Sequence, residues 1–260
     1  MPGQTLKIQG ARFILTVDPE RRIIQDGTIL VEGQRITQVG KTADLSEVPA
    51  NRVIDASEMV VTPGFINGHM HISYAHATRG IFPDSLDPGE YLANVFALQG
   101  AMTEEEEYLT SLLGITELLK YGTTTFMDPG STKYLDRCLD AYRLAGCRII
   151  TGAHVTDKPN PLGLPTYSTA EAINIVKATI EGFNGQLDGR VNAWAMPFAP
   201  SMCTDELLLA CKRLADEHGT GVTLHYNNSP NYVEASLKET GLRPTQYLEE
   251  LGVLGDNVTL

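Results

Sequence analysis

Thr62-Pro63-Gly64-Phe65-Ile66-Asn67-Gly68-His69-Met70-His71 runs a short apolar strand into two histidines spaced i, i+2. Alternate residues of a strand share a face, so His69 and His71 leave the strand end on one side, where two imidazoles can hold one divalent ion. Met70 between them faces the other way. Pro63, Gly64 and Gly68 suit an entry turn and a close passage of backbone. Taken bare, His-x-His is more often a pair of ordinary polar residues at a strand end, because short motifs match by chance. The flanking sequence decides between the two readings.

Downstream, the pattern alternates strand and helix, the rhythm of parallel β/α units. The connection after the first strand, about residues 72 to 101, carries Tyr74, His76, Arg79, Phe82, Asp84 and Tyr91, a polar and aromatic mixture suited to lining a pocket. His76 lies beyond the strand that aims the pair and is expected to hydrogen-bond within this loop. Thr103-Glu104-Glu105-Glu106 reads as a capping box, and Leu109, Leu112, Leu113, Thr116 and Leu119 follow at helical spacing. The glutamate run is a solvated helix start. Gly122 to Asp128 is expected as strand two, Arg148 to His154 as strand three, Val191 to Met196 as strand four and Gly221 to His225 as strand five, with helices over 134–145, 170–183 and 206–218. Asn257 to Leu260 reads as the beginning of strand six. His154 and His225 therefore end strands at the same face as the His pair. His154 suits either substrate contact or the anchoring of a loop.

Upstream, residues 4 to 62 alternate apolar and polar over short runs, with Gly33, Gly40 and Asp55 as punctuation, so a small β domain precedes the β/α units. Val31 to Ile36 reads as a hairpin. The chain has 260 residues, is 42% hydrophobic and carries a net charge of −12. That core content fits a globular protein, and the acidity disfavours nucleic acid and anionic membrane as partners. The N-terminal segment has neither a basic region followed by an apolar core nor a membrane-length apolar run, so a cytoplasmic location is expected. Cys138, Cys147, Cys203 and Cys211 lack metal or redox spacing and are expected to be free buried thiols. Cys203 has no histidine near it in sequence to make it a nucleophile.

Pro63 to His71, preceded by Val53-Ile54-Asp55-Ala56, resembles the opening motif of the amidohydrolase superfamily. The resemblance runs from about residue 5 to the chain end. It is closest to the branch of cytosine, guanine and S-adenosylhomocysteine deaminases and triazine hydrolases. It implies an α/β fold: a TIM-like (β/α)8 barrel, with about five to six of its strands in this chain, preceded by a small β-sandwich domain. Residues 1–62 would form that composite β domain and 63–260 the N-terminal part of the barrel. His69, His71 and His225 would bind one divalent metal ion, zinc foremost, with iron or cobalt as substitutes. Binuclear relatives use a lysine at the end of strand four, where this chain has Ala195-Met196-Pro197, which favours a single ion. A histidine after strand six and an aspartate after strand eight are expected beyond Leu260. No catalytic residue is therefore assigned within the chain, and these 260 residues alone are expected to be inactive.

Two departures from the family pattern bear on the reaction. Pro197-Phe198-Ala199-Pro200 resembles the family segment Pro-His-Ala-Pro, with Phe198 at the substrate-contacting histidine. His225-Tyr226-Asn227-Asn228 stands where deaminases of this branch carry His-x-x-Glu, and Asn228 can hydrogen-bond a substrate but cannot carry a proton. The expected substrate-contacting residues are Asn228, His154, Phe198 and Arg79. The expected reaction is hydrolysis of a non-peptide carbon–nitrogen bond, in an amide, urea, carbamate or amino-heterocycle. An ammonia-releasing amino-heterocycle deaminase and a non-catalytic relative remain as alternatives. The expected partner is a small-molecule substrate, within a homo-oligomer.

Overall fold

The structure is a computed structural model and describes residues 4–83, 85–130, 132–227 and 230–260. The chain divides into two compact units, Met1–Gly64 and Phe65–Leu260.

The first unit is one mixed sheet. β1 (Thr5–Leu15), β2 (Ile23–Glu32) and β3 (Arg35–Lys41) are antiparallel neighbours, the four-residue helix α1 (Thr42–Leu45) follows, and β4 (Arg52–Asp55) and β5 (Val60–Val61) pair in parallel with successive lengths of β1. The expected hairpin joins β2 to β3, and Gly33 at φ 60° supplies the left-handed backbone its turn needs. Ala11, Ile14, Ile29 and Ala56 form the core of the unit. Alternation in the sequence showed which residues face inward but not how many layers they make. The described residues form this single sheet, and the second facing sheet that a sandwich requires is not among them.

The second unit is built of parallel strands in chain order. β6 (Phe65–Asn67) pairs with β7 (Thr123–Met127), β7 with β8 (Arg148–Thr151), and β8 with β10 (Val191–Ala193). The line continues through β9 (His154–Val155) on β11 (Met196–Pro197), the bridge from Ala195 to Val222, and β12 (Val222–Thr223) on β13 (Val258–Thr259). Six successive strand positions thus lie side by side, the sixth being the segment read as the beginning of strand six. Strands three and four, expected to be continuous, are each interrupted. A Cβ on Gly152 would lie 2.4 Å from the Trp194 carbonyl oxygen, so the two segments approach closely where regular pairing lapses.

Helices connect the strands: α2 (Ala75–Thr78), α3 (Pro88–Ala101) and α4 (Glu104–Lys120) between β6 and β7, and α5 (Leu135–Ala145) between β7 and β8. After β9 come α6 (Thr169–Phe183) and the short α7 (Gln186–Gly189), then α8 (Asp205–His218) before β12, and α9 (Pro230–Thr240) and α10 (Pro244–Leu251) before β13. The Thr103 and Glu106 capping box is present, each side chain bonding the other residue's backbone N–H. The segment read as a loop over 72–101 is largely helical instead. Asp87 caps α3 by accepting from the N–H groups of Gly89 and Glu90, and Pro88 occupies the first helical turn, where its missing N–H costs nothing. All four cysteines are free and buried, and burial pushes the Cys138 thiol up to about 12 and the Cys147 thiol to about 11.

Candidate metal centre

The backbone beyond β6 aims the first two histidines. Met70 N–H donates to the Met127 carbonyl at 2.8 Å, extending the β6–β7 pairing past Asn67, and His69 N–H donates to the Asn67 Oδ1 at 3.0 Å. With Met70 fixed against β7, His69 and His71 emerge together on the other side. His225 arrives from the exit of β12, its N–H donating to the Phe198 carbonyl at 2.8 Å. The His69 and His71 Nε2 atoms stand 3.2 Å apart, as do those of His71 and His225, and the three donor atoms lie within 4.8 Å of one another. Among the described residues this is the group of three or more potential ligands that converges in this way.

The two 3.2 Å separations fit a divalent ion. A tetrahedral zinc about 2.0 Å from each nitrogen would hold its ligands about 3.3 Å apart. The electrostatics agree, because metal ligation needs neutral imidazoles. Burial, then the neighbouring His225, His69 and His154, pushes the His71 pKa down to about 2. Burial and then His69 push His225 down to about 4, and burial lowers His69.

Aromatic rings bracket the histidines. Tyr74 stacks on His71 at 5.1 Å between centroids and 21° between planes, His71 on His225 at 5.1 Å and 5°, and His225 on Phe198 at 4.6 Å and 24°. The histidines open onto a groove of about 940 Å³ whose wall includes Tyr74, Tyr91, Phe96, Leu162, Phe198 and Met202.

The other expected contacts divide. Phe198 lies in the groove beside His225. His154 is set behind it, edge-on to Phe198 at 5.4 Å and absent from the groove wall, with its buried Nδ1 lacking a hydrogen-bond partner; burial, then His225, takes its pKa down to about 4. It meets the aromatic wall from outside the groove, through the Phe198 ring. Arg79 turns away, its guanidinium paired with Glu117 of α4 at 3.1 Å and its side chain 63% exposed. The same carboxylate takes His76 Nε2 at 2.5 Å, so His76 binds a helix and not its own loop. Asn228 and Asp84 lie outside the described residues. Leu92, Val95 and Leu162 of the groove escaped the sequence reading, the first two because α3 was read as loop.

Residues 60–260 match the family model described as "Amidohydrolase family". A 5'-deoxyadenosine deaminase of Methanobrevibacter smithii is 31% identical over 233 residues, which cover 89% of this chain and 51% of the relative. A 5-methylthioadenosine/S-adenosylhomocysteine deaminase of Syntrophobacter fumaroxidans is 30% identical over 248 residues, 95% of this chain and 55% of the relative. The chain thus spans about half the length of these relatives. The fold is similar to that of the zinc-complexed atrazine chlorohydrolase of Arthrobacter aurescens, with a TM-score of 0.85 at 24% identity, covering 97% of this chain and 59% of that one. By the span of the family match and the His69, His71 and His225 constellation that accompanies it, the chain belongs to the amidohydrolase family.

Proposed function

We propose that the protein is a metal-dependent hydrolase that cleaves a non-peptide carbon–nitrogen bond of a small molecule, with one divalent ion, zinc foremost, on His69, His71 and His225. The convergence of three Nε2 atoms at the end of an aromatic-walled groove carries this reading. When bound, such an ion supplies Lewis acidity, acidifying water and polarising the carbon that water attacks. The chain's own residues position and exclude. Neutral imidazoles present lone pairs, the His225 N–H bond to Phe198 fixes the direction of one ligand, and the groove wall removes bulk water from whatever lies against it. Residues 63–260 are read as part of a TIM-like barrel, supported by six strand positions in parallel sequence order. Residues 1–62 are read as the composite domain that precedes it. A cytoplasmic location accompanies this reading; among the described residues no helix is long and apolar enough to cross a membrane.

Amino-heterocycle deamination is the second reading, favoured by the names of the two curated relatives. One assay separates them. The protein as the cell makes it, loaded with zinc, is offered amides, ureas, carbamates and amino-heterocycles, with ammonia and the organic product both quantified. Cleavage without ammonia from a ring substituent supports the first reading, ring-derived ammonia the second, and no turnover of any class by zinc-loaded protein overturns both.

A further inference from the structure

The two most buried metal ligands do not stand alone. Tyr74, His71, His225 and Phe198 form one column of four stacked rings, with the two imidazoles in the middle, their planes nearly parallel, and a carbocyclic ring closing each end. An imidazole on a strand end has two soft side-chain torsions, and only a narrow range of them points Nε2 at its neighbours. Stacking at 4.6 Å on one side and 5.1 Å on the other removes ring rotation for His225, and the same holds for His71 between Tyr74 and His225. His69 lies edge-on to both imidazoles, at 4.9 and 5.2 Å, outside the column. The end rings are themselves held: Tyr74 and Phe198 are 5% and 6% exposed, and Phe96 meets each of them at 5.9 Å.

We propose that Tyr74 and Phe198 are positioning residues of the metal centre, which hold His71 and His225 with their Nε2 atoms converged before an ion arrives. The role rests on the reading of His69, His71 and His225 as metal ligands. Neither end ring donates to the ion; each acts through the imidazole it covers. Phe198 contributes shape and a flat face at this position, so a flat ring can replace it and a branched aliphatic of similar bulk cannot.

The test is zinc and cobalt affinity by competition with a chromophoric chelator, together with the visible absorption of the cobalt-loaded protein, in the full chain and five variants. Phe198→Leu and Tyr74→Leu are expected to raise the dissociation constant about tenfold, toward the lower end of the range seen when groups that orient metal ligands are lost. Both should alter the cobalt band. Phe198→Tyr and Tyr74→Phe, which keep the rings, are expected to restore affinity to within about threefold of the parent chain. Leu208→Ala, in the core packed around α8, serves as a packing control; it should lower the melting temperature without changing the metal constants. If the parent chain binds no ion, the metal reading itself fails. If it binds and the leucine variants bind equally well, or Leu208→Ala weakens binding as much as they do, positioning by the end rings is overturned while the ligand assignment stands.

Discussion

His154→Leu should make the second unit less sensitive to acid. The imidazole sits behind Phe198 with Nδ1 unpaired, and burial takes its pKa from 6.5 to about 4. Between those values the unfolded chain binds a proton that the folded chain excludes, so stability rises with pH. The contribution is intact above about pH 6.5 and is lost as pH falls toward the folded pKa of about 4. One pKa unit corresponds to about 1.4 kcal/mol, and at pH 4.5 the protonation of the unfolded chain costs about 2.5 kcal/mol at this single site, against about 0.2 kcal/mol at pH 7. Leucine of similar volume cannot take the proton, and at neutral pH the exchange should stay within about 1.5 kcal/mol. Urea unfolding followed by the fluorescence of Trp194, the single tryptophan, between β10 and β11, reports the second unit. The loss of stability from pH 7 to pH 4.5 should be smaller in the variant by about 2 kcal/mol. Parallel pH profiles for the two proteins would refute the claim that burial holds His154 neutral.

Gly221→Ala should destabilise the unit by about 1–3 kcal/mol, because a Cβ there would lie 2.6 Å from three atoms of the Trp194 ring; the urea midpoint and the tryptophan emission maximum should both shift. Glu107→Ala should cost about 3 kcal/mol or more, since the buried carboxylate accepts from Lys133 and Tyr134 N–H and Gln99 Nε2 and its loss leaves backbone donors unpaired. Glu107→Gln, which keeps an acceptor oxygen, should cost less in the same titration. Arg79→Ala should change stability by no more than about 1 kcal/mol, as an exposed pair with Glu117 does, and should leave zinc affinity unchanged by competition titration.

The parts of the molecule legible in the sequence are those written locally. His69 and His71 share a face because strands have period two, and the Thr103 and Glu106 cap is complete within four residues. His225 was legible as the end of a short apolar run, although nothing in the chain itself measured its 3.2 Å approach to His71, 154 residues away. Features decided by distant segments were not legible. The breaks at Gly152 and Trp194 follow from the close approach of two strands. Arg79 looked like a pocket cation until Glu117, 38 residues on, captured it. The α3 helix was missed because Pro88-Gly89 reads as a turn unless Asp87 is recognised as its cap. In the first unit, alternation marked the strands, but β4 and β5 sharing one edge of β1 is a pairing choice that alternation does not encode.

Zinc K-edge absorption on the zinc-loaded full chain, with total metal counted by elemental analysis, bears most directly on the metal centre. One zinc per chain is expected, with three imidazole nitrogens about 2.0–2.1 Å from it, and each of His69→Ala, His71→Ala and His225→Ala should remove one imidazole from that shell or abolish stoichiometric loading. Substoichiometric zinc in the parent chain, or an imidazole shell that survives all three substitutions, would contradict the assignment.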